Sequence, residues 1–322
     1  MWINILILIL GLVVLIVGGE FLVRGASRVA LRLKISPLVV GLTIVAFGTS
    51  SPELFISIQS ALAGSPDMAM GNVIGSNICN LALVLGVTSL FSPIQVNSNS
   101  IKIDWPMAMG SSVLLFLLVA EGFLERSEGV LFVVILAGYV FLLINRSRRD
   151  NKAMKALEVD GLEDLKDENA EGEWVNWAKD FGLVVIGCIG LYFGSDWFVG
   201  GAKDIFLGMG VSERIIGIVV LAIGTSLPEL VTSIVAAMKK NTDLAIGNLM
   251  GSNIFNILSI LGITSIIKDI EVSNTIKEYD MLWMLGITLV VLPMMVVNKR
   301  LGRVQGGILL AIYFYYNYTL FA

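Results

Sequence analysis

The 322-residue chain contains no histidine. That absence removes imidazole proton relays, the usual zinc and copper ligands, and any catalytic triad built on histidine. Charge is also scarce. Only 15% of residues are Asp, Glu, Lys or Arg, against about 25% in soluble domains. Hydrophobic residues make up 56%, against about 45–50%, so the composition points to a bilayer. A formal net charge of −4 offers no basic surface for nucleic acid. The two cysteines, Cys79 and Cys188, stand at unrelated positions in apolar surroundings and read as buried fillers, not as a disulfide or a metal pair. No nucleophile–base pair or metal-hydrolase motif occurs, so nothing points to an enzyme.

What the chain has in quantity is apolar sequence. Runs fall at about 3–30, 37–63, 67–91, 106–122, 129–145, 180–207, 215–238, 243–267, 280–297 and 304–321, many exceeding the ~18 residues that span a membrane as a helix. The first run has no basic leader or small-residue cleavage site and reads as a spanning helix, not a signal peptide. Trp2, Trp105, Trp177 and Trp197 lie near predicted helix ends, where indole rings favour the headgroup zone.

The stretch GLTIVAFGTSSPELFISIQSALAGSPDMAMGNVIGSNICNLALVLG, residues 41–86, returns as GIVVLAIGTSLPELVTSIVAAMKKNTDLAIGNLMGSNIFNILSILG, residues 217–262, without a gap. Glu20 in GGEFLVRGA and Asp196 in GSDWFVGGA stand in the same relation, so the repeat extends to the first helix. Five spans per copy bring the second copy into the membrane from the opposite side. The expected fold is an all-α integral membrane protein with ten transmembrane helices, arranged as two inverted five-helix repeats, a design common among secondary transporters. The repeats are 1–145 and 180–322, joined by a charged linker at 146–179 that begins basic and turns acidic. Lys and Arg are denser in the loops on the linker's side, which places the linker in the cytoplasm and both termini outside.

Each copy sets a glutamate, Glu53 or Glu229, in the middle of an apolar run. A carboxylate there costs about 2.5–3.5 kcal/mol on insertion scales, and no Lys or Arg lies at comparable depth in these helices to pair with it. Pro52 and Pro228 precede the glutamates, with Gly48 and Gly224 four residues earlier. Proline removes a helical hydrogen bond and crowds the carbonyl four residues back. A break is therefore predicted at Gly48–Pro52 and Gly224–Pro228, freeing carbonyls that are tolerated at this depth only where they line a cavity or coordinate something.

Helical spacing gathers Thr49, Ser50, Glu53 and Ser57 on one face, matched by Thr225, Ser226, Glu229 and Ser233. Asn72, Ser76 and Asn80 form a second stripe, matched by Asn248, Ser252 and Asn256. Glycines 71, 75, 247 and 251 form small-xxx-small patterns and are assigned to helix packing. The resulting donors are all oxygen, with no nitrogen or sulfur, which suits hard cations: calcium, sodium, magnesium or manganese.

The doubled GTS-x-PE and GN-x-x-GSN-I-x-N motifs resemble the cation/calcium antiporter superfamily, in its sodium/calcium exchanger branch, over nearly the whole chain. The resemblance implies a calcium ion held between Glu53 and Glu229 with help from Thr49 and Thr225. It implies sodium sites that share these glutamates with Ser50, Ser226, Ser76, Ser252 and the carbonyls of Ala46 and Ala222. Asn80 and Asn256 would line the central position. It further implies sodium/calcium antiport by alternating access, in which the first and sixth helices slide against an eight-helix core. Many relatives carry aspartate where this chain has Asn256, so the pocket holds two strong carboxylates instead of three. Beyond the transported Ca2+ and Na+ no cofactor is expected, and the expected partners are the lipid bilayer and these ions, in a monomer. A calcium/proton or other divalent-cation antiporter of the same fold is the alternative, and a glutamate-lined cation channel a remote one.

Overall fold

The structure, a computed structural model, describes residues 2–154, 173–209 and 222–321. A backbone in hydrocarbon must satisfy its own N–H and C=O groups, so the apolar runs wind into helices. These are α1 (Trp2–Leu33), α2 (Pro37–Thr49), α3 (Ser51–Leu62), α4 (Pro66–Phe91), α5 (Ser100–Glu121), α6 (Arg126–Met154), α7 (Glu173–Gly208), α8 (Ala222–Thr225), α9 (Leu227–Met238), α10 (Thr242–Ile267), α11 (Ile276–Lys299) and α12 (Arg303–Phe321). Seven of the described helices are long and apolar enough to cross a membrane, and α2 with α3 makes an eighth, bent by 46° at its break. The chain is a multi-pass helical membrane protein. Residues 215–221 of the predicted seventh span, and 155–172 of the linker, lie outside the described residues. The helices on either side of the linker reach into the predicted linker, to Met154 and from Glu173.

The motif helices α4 and α10 are the central ones. Of the apolar stretch in each, 83% is buried, against 22–33% in the other five long helices. Gly247 and Gly251 allow α10 to lie directly on α2: a Cβ on Gly247 would stand 2.6 Å from the Leu38 carbonyl, and one on Gly251 2.7 Å from Leu42 Cα. Both therefore act in packing, as expected. Gly71 and Gly75 meet nothing within 4 Å, and the stretch that the repeat would set against them falls largely outside the described residues. Trp105 is spent on a neighbouring helix, its indole N–H donating to the Thr288 carbonyl at 2.8 Å. Trp197 lies well inside α7 and not at its end.

Two short ribbons tie the halves together. β1 (Ile94–Gln95) pairs antiparallel with β4 (Arg300–Leu301), and β2 (Phe123–Leu124) with β3 (Ile270–Glu271). Each ribbon takes one strand from either half of the chain.

Helices α1 and α7 form a close antiparallel pair, which the sequence pattern shows only in hindsight. Gly11, Gly18 and Gly25 recur at seven-residue spacing on α1, and Gly187, Gly194 and Gly201 do so on α7. A Cβ on Gly18 would stand 2.8 Å from Leu191 N, and one on Gly194 2.6 Å from Leu15 N. The two backbones thus meet where side chains are missing. Asp180, 1% exposed, fastens one end of the pair by ion pairs with Arg28 and Arg32 of α1. On another side of α1, Glu20 pairs with Lys239 at the end of α9.

Overpacking a tight contact costs about 1–3 kcal/mol. Gly194→Ala should therefore lower the thermal unfolding temperature of the detergent-solubilised protein by several degrees. Gly200→Ala, where a Cβ meets nothing within 4 Å, should leave it unchanged or raise it, because alanine is the better helix former. Equal shifts in the two variants would contradict the packing role.

Candidate cation site

The predicted breaks are present in both copies. Ser50 leaves helical geometry at φ −87°, ψ 6° between α2 and α3, and Ser226 does the same at φ −92°, ψ 5° between α8 and α9. Proline then starts each following helix, where its missing N–H does no harm. The breaks set Glu53 and Glu229 in the first turns of α3 and α9. There the exposed N–H ends of the helix favour negative charge.

One freed carbonyl has an unexpected partner. Pro228 cannot bond the Gly224 carbonyl, and Ser195 Oγ of α7 donates to it at 2.6 Å. The Ala46 carbonyl accepts from Ser50 N at 3.0 Å and from the Thr49 hydroxyl at 3.3 Å. Ala222 begins the described part of α8.

The structure brings the two motifs face to face. Ser50 of the first copy donates its hydroxyl to Glu229 Oε1 of the second at 3.0 Å, and Ser252 approaches the same oxygen at 3.5 Å. Thr49 donates to Asn248 Oδ1 at 3.3 Å. Glu53 and Glu229 are each 1% exposed. Thr49, Ser50, Ser76, Asn80, Ser226, Ser252 and Asn256 are buried with them. Thr225 is half-buried and lines a cavity of about 650 Å³ that also touches Pro52, Gln59, Tyr192, Asp196 and Pro228.

The asparagine stripes divide into two roles. Asn72 Nδ2 donates to Ser57 Oγ at 3.0 Å and to the Glu53 carbonyl at 3.2 Å. Asn248 repeats this with Ser233 Oγ at 3.0 Å and the Glu229 carbonyl at 3.4 Å. These two amides hold the glutamate helices in place. Asn80 and Asn256 instead keep a buried, unpartnered amide oxygen each, and Asn256 is steered by its Nδ2 donating to Asn77 Oδ1 at 3.0 Å. Asn77 is the residue that spacing overlooked. It lies off the Asn72–Ser76–Asn80 stripe, yet it also reaches the Asn253 carbonyl at 3.3 Å and so bridges α4 and α10.

Glu53 Oε2, Glu229 Oε2, Asn80 Oδ1, Asn256 Oδ1 and Ser226 Oγ are all buried without a hydrogen-bond partner. Buried polar atoms in native proteins are overwhelmingly paired, so a cluster of unpaired acceptors beside two carboxylates has the donor chemistry of a hard-cation site.

Comparison with known proteins gives this arrangement its family. The family model described as sodium/calcium exchanger protein matches residues 3–145 and again 179–322. The chain belongs to the sodium/calcium exchanger family. The exchanger is 38% identical to the protein CaxA of Alkalimonas amylolytica over 98% of this chain and 97% of that one. It is 33% identical to the sodium/calcium exchanger MaX1 of Methanosarcina acetivorans, over 99% of each chain. Its fold matches that of the sodium-calcium exchanger NCX_Mj soaked with zero Na+ and Ca2+, with a TM-score of 0.82, 29% identity and 98% of both chains covered. The exchanger is a membrane transporter for cation/calcium antiport, not an enzyme.

Removing a partner from a buried polar group costs about 1–3 kcal/mol. Asn248→Ala should therefore lower the thermal unfolding temperature of the exchanger, because Asn248 donates to Ser233 and the Glu229 carbonyl and accepts the Thr49 hydroxyl across the repeat interface. An unfolding temperature equal to that of the unsubstituted exchanger would refute the assignment.

Proposed function

We propose that this chain exchanges sodium for calcium by alternating access, with both ions competing for the cage between Glu53 and Glu229. The observation that carries the reading is the pair of buried carboxylates, each with one unpartnered oxygen, joined across the repeats by Ser50. Two ionised glutamates balance one divalent ion, while several sodium ions replacing it leave a different net charge. Occupancy by one ion therefore excludes the other, which is the physical requirement for exchange.

In this reading calcium takes Glu53, Glu229, Thr49 and Thr225. Sodium shares the glutamates with Ser50 and Ser76 on one side and with Ser226 and Ser252 on the other, using the Ala46 and Ala222 carbonyls. Asn80 and Asn256 complete the centre. The present bonds of the Thr49 and Ser50 hydroxyls to Ala46 and Glu229 are ones that hydroxyl rotation can exchange for an ion.

The chain crosses the membrane ten times as two inverted repeats, 1–145 and 180–322, around a cytoplasmic linker at 146–179, with both termini outside. The antiparallel course of α1 and α7, which are repeat counterparts, supports the inversion. So does the exchange of strands between the two ribbons. The glycine-lined α1–α7 pair is suited to move as one body against the central helices, and its Ser195–Gly224 and Glu20–Lys239 contacts are then remade in each cycle. The working unit is a monomer.

Calcium uptake into proteoliposomes, with sodium and proton gradients imposed separately, tests the coupling. A sodium gradient should drive uptake; uptake driven by protons alone would reassign the chain as a calcium/proton antiporter, and ion flux far above carrier turnover would make it a channel. Glu53→Gln and Glu229→Gln should each abolish exchange in a protein that still folds and inserts, and full activity in either would overturn the site. Ser76→Ala should weaken the sodium dependence more than calcium binding, read as a rise in the sodium concentration for half-maximal exchange.

A further inference from the structure

The repeat allows one place in the molecule to be compared with itself. Ser195 and Asp196 of α7 correspond to Gly19 and Glu20 of α1, and Phe55 and Gln59 of α3 correspond to Val231 and Val235 of α9. In one copy the place is shut. A Cβ on Gly19 would stand 2.9 Å from Val231 Cγ1 and 3.6 Å from Val235 Cγ2, and Glu20 is ion-paired with Lys239 at the end of α9. In the other copy the place is open, because Ser195, Asp196, Phe55 and Gln59 all line the 650 Å³ cavity. Thr225 and both motif prolines line the same cavity, so it reaches the cation site. Asp196 is exposed, and among the described residues no basic side chain pairs with it. Ala63 stands where the other copy has Lys239.

An acid within a spanning helix is costly unless it faces a water-filled cavity, and acids so placed mark ion pathways. A charge in a cleft with low-dielectric walls also concentrates its counter-ions there. We propose that Asp196 gathers Ca2+ in this cavity and so governs cation capture from the side away from the linker. The linker side has no such group, because Lys239 cancels Glu20. Asp196 acts through its field on the approaching ion, without being a ligand in the cage. The inference rests on the exchange reading and its topology, in which α3 runs outward from its break. Gln59, about two turns beyond Pro52, then sets the cavity on the outer side.

The test measures initial rates of sodium-driven calcium uptake against external Ca2+ in membrane vesicles from expressing cells. Right-side-out vesicles offer the outer face to the added ion, and inverted vesicles the linker face; choline chloride sets the external ionic strength. In right-side-out vesicles at low ionic strength, Asp196→Asn should raise KM by roughly fivefold and leave the maximal rate unchanged. In inverted vesicles it should change neither. The rise should shrink when the ionic strength goes from about 0.01 M to about 0.15 M, because the Debye length falls from about 30 Å to about 8 Å. Asp196→Glu should keep the wild-type KM. Ala63→Lys, at an exposed position ending α3, supplies the charge that the other copy carries and should raise KM as Asp196→Asn does. An unchanged KM in Asp196→Asn, a fall in maximal rate alone, or a rise that ionic strength does not alter overturns the proposal. A rise confined to inverted vesicles overturns the side assigned to the cavity. Calcium uptake that only a proton gradient drives would sink the exchange reading, and the same KM comparison under that gradient would still decide the role of Asp196. No calcium uptake under either gradient overturns both.

Discussion

Moving a carboxylate from water to the interior of a bilayer costs several kcal/mol even where snorkelling and water defects soften the penalty, and this chain does it twice within one small volume. Neither Glu53 nor Glu229 receives an ion-pair partner among the described residues. The surrounding groups stabilise them only in part, through Ser50, Ser252 and the first turns of α3 and α9. In the proposed reading a bound cation makes up this deficit. The broken helices, the buried asparagines and the depth of α4 and α10 in the bundle all follow from the need to hold two such groups without neutralising them internally.

Two different glycine patterns serve this end. Gly247 and Gly251 bring α10 against α2, which sets Asn248 where it can hold both Thr49 and the Glu229 helix. The heptad glycines of α1 and α7 bring these two helices to backbone distance of each other. Ser195 reaches out of α7 to occupy the carbonyl that Pro228 leaves unbonded.

Much of this was legible in the sequence, because the membrane simplifies the code. Apolar runs mark helices when water is absent, proline four residues after glycine marks a break, and an isolated acid in an apolar run marks a site. Those three signals placed Thr49, Ser50, Glu53 and their counterparts together. What escaped was lateral: Asn77 lies off the stripe that periodicity selects, and Ser195 stands in the GSDWFVGGA segment, which marked only the reach of the repeat. Each is defined by which helix lies opposite, and helix spacing says nothing about neighbours across the bundle. Arg28 and Arg32 lie in the last turns of α1, paired with the buried Asp180, a partner that no pattern along the chain announces.

The two ribbons carry a consequence for the order in which the molecule is made. Ile94–Gln95 finds its hydrogen-bonding strand only at Arg300–Leu301, and Phe123–Leu124 only at Ile270–Glu271. While the first half of the chain leaves the ribosome, its strand edges stay open and the Ser50 hydroxyl still lacks its acceptor on Glu229. Completion therefore waits for almost the last helix. In the nascent first half Glu53 therefore stands without Glu229, and both ribbons close only in the last stretch of synthesis.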